Sequence, residues 1–416
     1  MHPAISIGAY LIFQVAIWFL LIRNMKKSGL HPAGPIKWVA FGIYALLSLL
    51  PVFGALLPDS DVKFALQGAG NIWLAFVLYT AMLVLLLNLI GLVVEACIRR
   101  NGHEDGANDK DADRMHKQRI LHGLHGCILI ISLTVGIGAA IYGMIHAQKT
   151  VVRTCDVYTD KEAGDRKNLK VVLLGDLHLS VNSNLPMIGR MVNAVNALSP
   201  DVVVIAGDIF TSSYGALKDP DAYAAVLRRI EAKDGVYTVY GNHDVEETLF
   251  GGFPISPISQ AFRTKDMEDF MEKCGFTVLY DETALIADGA VQLVGRVDGE
   301  KAGDGTDERM SAQEVLAGID PEKYTIVLEH EPVEFGELKT NGADLALCGH
   351  THAGQLFPGN IASRFFFENI HGFKKVDGLD TVVTAGVGYY GPPMRVATDS
   401  EITEVDVHFG DGSLDR

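Results

Sequence analysis

Cysteine is scarce in this sequence and follows no familiar pattern. Only five cysteines occur among the 416 residues, and no Cys-x-x-Cys pair or zinc-knuckle spacing exists. The sequence therefore gives no basis for a disulfide framework or a cysteine-based zinc site. A Gly-x-Ser-x-Gly turn, which would present a nucleophilic serine, is also absent. Covalent catalysis by serine or cysteine is consequently not expected.

Positive charge is in short supply as well. The chain contains 35 lysines and arginines against 51 aspartates and glutamates, which gives a formal net charge of -16. No basic stripe interrupts this acidic balance. A protein that binds a polyanionic backbone needs such a stripe, because much of its affinity comes from phosphate contacts. Nucleic-acid binding is therefore not expected.

Long apolar runs, in contrast, are abundant in the first part of the chain. Four segments free of Lys, Arg, Asp and Glu are each long enough to cross ~30 Å of hydrocarbon. Four apolar segments of this length in succession are not expected in the core of a soluble protein. The first segment also lacks the preceding basic region that is typical of a signal peptide. We predict four transmembrane helices, at about residues 5–22, 38–57, 71–94 and 124–145.

Basic residues are distributed unevenly around these segments. The connection 23–37 contains four lysines and arginines, the connection 95–123 contains six, and the loop 58–67 contains only Lys63. Connections rich in Lys and Arg stay on the cytoplasmic side of a membrane. We therefore predict an integral cell membrane protein in which both termini, and the catalytic domain after the last helix, face the extracytoplasmic side.

Beyond the membrane segments, short apolar runs alternate with loops and helical patterns. Continuous apolar runs are typical of strands that are covered on both faces, which favours a layered α/β domain. The predicted organisation is a membrane region at 1–147, a linker with a first strand at 148–167, and a catalytic domain at 168–416.

Five of these apolar runs end in a turn that carries Asp, Asn or His. Loops at strand ends are where open α/β sheets place ligand chemistry. Residues i and i+2 of an extended chain point to one side, so the pairs Asp176/His178 and His350/His352 can each send two ligands into one cavity. The residues at these strand ends are Asp176, His178, Asp208, Asn242, His243, His330, His350 and His352.

So many ionisable groups in one place require cations. Buried carboxylates need a partner, and crowded imidazoles repel one another when protonated. A mixed carboxylate, carboxamide and imidazole set suits Mn²⁺, Fe²⁺/Fe³⁺ or Zn²⁺ better than Ca²⁺ or Mg²⁺. The set is too large for one tetrahedral zinc, so two divalent metal ions are predicted as cofactors.

The order GDxH, GD, GNHD, H and GHTH resembles the calcineurin-like metallophosphoesterase family. The resemblance covers roughly residues 168–408. The stretches GHTHAGQ (349–355), GVGYYGPPMR (386–395) and EITEV (401–405) are similar to the membrane-linked branch, which includes the YkuE and YaeI phosphodiesterases. The fold that this resemblance implies is a four-layer αββα sandwich, here preceded by the all-α membrane region.

The resemblance also implies a role for each motif residue. The first metal would be held by Asp176, His178 and His352, the second by Asn242, His330 and His350, with Asp208 bridging both. Two such ions lower the pKa of a bound water, and the resulting hydroxide attacks phosphorus. His243 would protonate the leaving oxygen, and Asp244 would orient or charge it. Asp244 could equally cap a helix.

Residues outside the motifs allow more than one interpretation. Gln355 and Arg395 are candidates for substrate contact because arginine matches phosphate geometry, although a surface ion pair explains Arg395 nearly as well. The run Phe365–Phe367 is predicted either to face the bilayer or a substrate acyl chain, or to pack on the sheet.

The sequence thus predicts a membrane-anchored phosphoesterase that hydrolyses a phosphodiester or pyrophosphate bond of a membrane-associated or envelope substrate, which could be lipid-linked. Its other expected partner is the lipid bilayer. The alternatives are a phosphomonoesterase or a cyclic-nucleotide phosphodiesterase, because metal motifs do not define the ester. A membrane scaffold with a relic metal site is a third alternative, which the complete ligand set disfavours.

Overall fold

The computed structural model describes residues 3–31, 34–57, 60–100 and 110–410. Its helices are α1 (Pro3–Lys27), α2 (Gly34–Leu56), α3 (Asp61–Arg100), α4 (Lys110–His146), α5 (Leu185–Ala197), α6 (Pro220–Leu227), α7 (Lys265–Cys274), α8 (Ala312–Val315), α9 (Phe335–Thr340) and α10 (Gly359–Ala362). Its strands are β1 (Thr150–Thr159), β2 (Asn168–Leu174), β3 (Val202–Ala206), β4 (Val236–Val239), β5 (Leu249–Phe250), β6 (Phe253–Pro254), β7 (Thr277–Val278), β8 (Glu282–Ile286), β9 (Val291–Gly295), β10 (Tyr324–Leu328), β11 (Leu345–Cys348), β12 (Gly372–Val376), β13 (Leu379–Val383) and β14 (Ser400–Phe409).

The four helices α1 to α4 are each long and apolar enough to cross a membrane, which confirms the predicted all-α region. Helices α3 and α4 are longer than their apolar runs, because polar turns continue each helix beyond the apolar segment. The predicted limits 1–147, 148–167 and 168–416 stay predictions, and residues 1–2 and 411–416 lie outside the described residues.

Polar side chains join three of these helices near their basic ends. Asn24 Nδ2 of α1 donates to Asn88 Oδ1 of α3 at 3.1 Å, and His125 Nδ1 of α4 lies 2.7 Å from Asn24 Oδ1. Lys27 Nζ forms an ion pair of 3.0 Å with Glu95. Polar contacts of this kind stabilise helix association in lipid because the apolar surfaces alone give little preference.

The remainder of the chain forms two six-stranded sheets with helices on their outer faces. The strand orders are β1-β14-β2-β3-β4-β7 and β12-β13-β11-β10-β9-β8. Residues such as Leu173, Val204, Leu293 and Leu347 form the core between the sheets. Helices α5 to α7 cover the first sheet, and α8 and α9 cover the second. This arrangement confirms the four-layer αββα class.

The strands that precede the motif turns end at the same edge of the molecule. In the first sheet β2, β3 and β4 are parallel neighbours, and in the second β9, β10 and β11 are. Parallel strands bring their carboxyl ends together, so the turns that follow them form one continuous rim. The metal-ligand candidates lie in this rim.

The membrane helices pack directly on this rim. Ala75, Tyr79, Ala140 and Met394 share one small hydrophobic core, which joins α3 and α4 to the segment before β14. The N–H of Arg395 donates to the carbonyl of Gly143 at 3.1 Å. Because α4 ends only a few residues before β1 begins, the sheets are attached to the membrane region without a long linker.

Candidate metal centre

One group of ligand atoms comes from the turns after β2 and β11. Atoms of Asp176, His178 and His352 all lie within 4.8 Å of one another, and all three side chains are buried. The Nε2 atoms of His178 and His352 are 2.9 Å apart, and His352 Nε2 lies 3.4 Å from Asp176 Oδ1. These are the three residues that the family resemblance assigns to the first metal.

A second group is centred on His330, in the turn after β10. Its Nε2 lies 3.2 Å from Asp208 Oδ2, 3.0 Å from Asn242 Oδ1 and 3.2 Å from His350 Nδ1. Asp208 Oδ2 is also 3.5 Å from His178 Nε2, so that one carboxylate oxygen lies between the two groups. The structure therefore brings together all seven predicted ligands.

The chemistry of these atoms fits bound cations. His330 Nδ1 lies 2.6 Å from the carbonyl oxygen of Ala206, which can only accept, so Nδ1 carries the proton. In the neutral ring Nε2 is then a lone pair that faces the lone pairs of Asp208 Oδ2 and Asn242 Oδ1. A metal ion between these acceptors removes their repulsion, and the backbone partner on Nδ1 fixes the ligating tautomer.

The electrostatics of the pocket agree with this interpretation. Burial lowers the pKa of His178 to about 4 and that of His350 to about 3, which keeps both rings in the neutral form that binds metals. Burial also acts to lower the pKa of His330, but Asp208 and Asp176 outweigh it and raise that pKa well above its usual value. Without a metal ion His330 is therefore protonated and its Nε2–H faces Asp208 Oδ2, whereas a bound cation would take the place of that proton.

The backbone of the ligand turns is strained. Asp176, His178, Asp208, His350 and His352 all have positive φ angles, between 46° and 70°, although none is glycine. This left-handed conformation costs free energy in an L-residue and is concentrated at functional sites. The predicted extended geometry of the two pairs is therefore wrong: the pairs lie in tight turns beyond the strand ends, and His350 faces a different group from His352.

Glycine is required where the turns approach one another. A Cβ atom on Gly241 would collide with the carboxylate of Asp208 and would lie 2.8 Å from Cγ of His330. Gly386 has a φ of 75°, and a Cβ there would lie 2.6 Å from Cβ of Asp176. The glycines of the GNHD and GVGYYG stretches thus leave room for the ligands.

His243 lies beside the ligand groups. Its ring centroid is 5.5 Å from that of His178, and the ring stacks on Tyr390 at 4.5 Å. Its backbone N–H donates to Asp208 Oδ1 at 2.8 Å, and its Nδ1 is 2.8 Å from Ser212 Oγ. Ser212 was not predicted from the sequence, because a serine in a turn after a strand carries no motif.

The sequence predicts that Asp244 orients or charges His243 or caps a helix, whereas its two carboxylate oxygens bond to the backbone of other turns. Asp244 Oδ1 accepts from the N–H of Phe210 at 2.9 Å, and Oδ2 accepts from the N–H of Gly241 at 2.8 Å. Both oxygens are therefore used to join two ligand turns, and Ser212 is the residue at Nδ1 of His243. Asp244 is a positioning residue.

Arg395 and Gln355, the predicted substrate contacts, instead use their polar groups within the protein. Arg395 is fully buried and donates to the carbonyls of Ala385, Gly388 and His352, so its guanidinium holds the backbone around His352. The amide of Gln355 accepts from the N–H of Tyr390 and donates to its carbonyl, each at 2.8 Å. Its hydrogen-bonding groups hold the Tyr390 turn in place.

Acidic residues beside the second group were not predicted. Asn242 Nδ2 donates to Glu300 Oε2 at 2.7 Å, and atoms of Glu300, Glu331 and His350 lie within 4.8 Å of one another. Glu300 follows β9, so the rule on strand ends that identified the other turns would have included it. Glu331 follows His330 in the turn after β10, which ends at Leu328.

The phenylalanine run divides into two parts. Phe365 and Phe366 are 82% and 79% exposed, so they do not pack on the sheet. The ring of Phe367 is half-buried and lies 5.5 Å from that of His350. Contact of Phe365 and Phe366 with the bilayer stays a prediction.

Comparison with known proteins agrees with this geometry. A family model described as calcineurin-like phosphoesterase matches residues 169–354. A zebrafish (Danio rerio) transmembrane protein with metallophosphoesterase domain is 29% identical over 95% of this chain and 86% of its own. An uncharacterized metallophosphoesterase of Aquifex aeolicus is 31% identical over 58% of this chain and 85% of its own. The uncharacterized metallophosphoesterase YkuE of Bacillus subtilis is 27% identical over 70% of this chain and 96% of its own length. The chain belongs to the calcineurin-like metallophosphoesterase family.

Proposed function

We propose that this protein is a membrane-embedded hydrolase of phosphodiester or pyrophosphate bonds, acting on a membrane-associated substrate. Membership of the family implies hydrolysis of a phosphoric ester, typically with two divalent metals. The observation that carries the proposal is that ligand atoms of Asp208, Asn242 and His350 all lie within 3.2 Å of His330 Nε2 in a buried pocket. This pocket favours positive charge, which a divalent cation would supply in place of a proton on His330.

The two ligand groups define how the ions would be held. Two divalent cations bound there would neutralise phosphate charge and activate a water molecule near neutral pH. Manganese, iron and zinc all suit imidazole with carboxylate. We assign the first ion to Asp176, His178 and His352, the second to Asn242, His330 and His350, and the bridging position to Asp208.

His243 is the residue that we assign to proton transfer. In its protonated form the ring donates Nδ1–H to Ser212 Oγ, at 2.8 Å, and retains Nε2–H for the leaving oxygen. The stack on Tyr390 restricts rotation of the ring. Asp208 Oδ1 accepts from the backbone of His243, so the acid is held beside the ligand groups.

The arrangement of the helices supports an extracytoplasmic catalytic domain. The sheets pack near the start of α1, where the rings of Tyr10 and Phe250 are 5.2 Å apart, and at the end of α4, where His146 lies 2.9 Å from Asp399. Helices α1 and α3 both run away from the sheets, and their basic C-terminal ends meet on the far side, where Lys27 pairs with Glu95. Because basic ends stay in the cytoplasm, the catalytic domain faces outward.

Turnover of bis-p-nitrophenyl phosphate by the purified, detergent-solubilised chain tests the proposed chemistry. We expect hydrolysis that depends on added Mn²⁺, Zn²⁺ or Fe²⁺ and that chelation abolishes. A well-folded preparation that hydrolyses neither this diester nor a pyrophosphate with any of these metals would overturn the proposal and favour a scaffold.

A further inference from the structure

An apolar groove connects the metal centre to the membrane helices. It is a cavity of about 590 Å³ between α1, α3 and the turns after β11. His350 and His352 lie at one end of it. The walls of the groove include Phe13, Leu74, Leu78, Met82, Phe357 and Tyr390.

The groove is open to the surroundings of the helices. Phe13 of α1 and Leu78 of α3 are 40% and 42% exposed, and both lie in segments that are long and apolar enough to cross a membrane. A soluble protein would leave this surface to water, which is unfavourable, whereas in a membrane these segments would face hydrocarbon. Lipid can therefore enter the groove from the side without crossing water.

The wall of the groove is fixed to the ligand turns. Tyr79 of α3 is buried, and its hydroxyl donates to the carbonyl of Phe357 at 2.8 Å. Leu356, the residue before it, packs in the same small core as Ala75 and Tyr79. The groove therefore keeps a constant position relative to His352, which precedes this segment by a few residues.

The groove also has depth along the helix axis. Leu74 and Met82 are eight positions apart on α3, a rise of roughly 12 Å. Leu74 is nearer the catalytic domain, since its side chain approaches Gly251, and Met82 is about two turns further into the predicted bilayer. A chain of methylenes bound here would extend from the metal centre toward the middle of the membrane.

We propose, on the basis of the function proposed above, that the substrate is a phosphate-bearing lipid. One hydrocarbon tail lies in the groove between α1 and α3, and the phosphate reaches the ligand groups at His350 and His352. The tail moves between two apolar environments, the bilayer and the groove, so its transfer changes the free energy little. The main contribution of the groove is therefore to align the phosphate with the ligand groups. The membrane helices are thus part of the substrate site as well as an anchor.

A pair of esters with the same leaving group tests this proposal. The probes are p-nitrophenyl hexadecyl phosphate and p-nitrophenyl ethyl phosphate, assayed with Mn²⁺ on the full chain in lipid nanodiscs. The measured quantity is the ratio of kcat/KM for the long ester to that for the short ester. In Leu78→Trp, whose added ring fills the groove, we expect this ratio to fall by roughly tenfold, the size typical of overpacking an apolar site.

The matched control is Leu89→Trp, which places the same ring on an exposed position of α3 outside the groove. Partition of the long ester into lipid is identical for both variants, so it cancels in the comparison. An equal ratio in Leu78→Trp, Leu89→Trp and wild-type protein would contradict binding of the tail in the groove, even if ester hydrolysis itself persists. Absence of metal-dependent turnover of the ethyl ester by wild-type protein would instead indicate failure of the proposed chemistry.

Photo-crosslinking gives a second measurement, which uses only wild-type protein and therefore does not depend on whether a variant folds. Hexadecyl phosphate with a diazirine at the end of its tail is added to wild-type protein in nanodiscs, with unlabelled hexadecyl phosphate as competitor. We expect competed labelling of peptides from α1 and α3 near Phe13 and Met82. Labelling that is not competed, or that is confined to α2 and α4, would contradict the proposal.

Discussion

In the proposed chemistry, His243 and Ser212 form the part of the site that moves a proton. Ser212 Oγ lies 2.8 Å from Nδ1 of His243, and Asp244 instead joins the turns of Phe210 and Gly241 through its two oxygens. In this proposal His243 contacts the leaving group, while Ser212 and Asp244 hold His243 and its turn in place. This division predicts a dependence on the leaving group.

We predict that His243→Gln slows hydrolysis of a diester with an alkyl alcohol leaving group by about a hundredfold to ten-thousandfold. The p-nitrophenyl esters should be affected far less, because p-nitrophenolate leaves without a proton. Steady-state kinetics on both substrates make the test, with Ser212→Ala expected to change the rates in the same direction by a smaller factor. Equal losses on both substrates would show that His243 has another role.

Gly241 offers a second test at the scale of single atoms. We predict that Gly241→Ala lowers metal content and destabilises the fold by about 1–3 kcal/mol, because its Cβ would displace Asp208 and His330. Thermal unfolding and metal analysis measure both effects. Gly189→Ala is the control, since no atom lies within 4 Å of a Cβ at this position of α5. Wild-type metal content in Gly241→Ala would contradict this geometry.

At the scale of elements, the membrane helices are joined by a polar contact network. Asn24 contacts both Asn88 and His125, so that one side chain links α1, α3 and α4. We predict that Asn24→Leu lowers the melting temperature in detergent, with a loss of about 0.6 to 1.7 kcal/mol, as measured for polar contacts between membrane helices. Thr134→Leu, at an exposed position where the hydroxyl bonds only its own helix, should have no comparable effect. A similar loss in both variants would argue against a specific network.

The elements themselves show what the sequence can predict. Uniform apolar runs identify α1 to α4 and the central strands, because burial on both faces leaves a strong compositional signal. Strand β12 lacks that signal: Phe373 and both of its lysines are exposed at the edge of the second sheet. The four-residue helix α10 is too short to show a helical period.

The candidate site likewise has features that the sequence predicts and features that it does not. The seven candidate ligands could be identified because each follows an apolar strand, and the family resemblance divided them between two groups. The left-handed backbone of five of them could not be predicted, because it depends on long-range packing. Arg395 illustrates the limit: its charge indicated phosphate contact, whereas the fold buries it against His352. Ser212 lies at the site only because the turn after β3 meets the turn that carries His243.

At the scale of the whole molecule, orientation in the membrane determines which substrates are accessible. We predict that Asp288→Cys, in a background with the native cysteines replaced by serine, reacts with an impermeant maleimide on intact cells. Asp288 is 86% exposed in its side chain and lies on the catalytic domain. Met115→Cys, exposed near the basic start of α4, should react only after permeabilisation. The reverse pattern would place the catalytic domain in the cytoplasm.

The proposed chemistry depends on two metal ions that share one carboxylate, that of Asp208. Elemental mass spectrometry of the purified chain measures this most directly, because it reports metal stoichiometry without assuming a substrate. We predict two transition-metal ions per wild-type chain and fewer than two in Asp208→Asn. Diester turnover in Asp208→Asn should fall by roughly a hundredfold or more, since loss of even an outer partner typically costs about 10–100-fold. Well-folded wild-type protein that binds no transition metal, or an Asp208→Asn variant with unchanged metal content, would contradict the account.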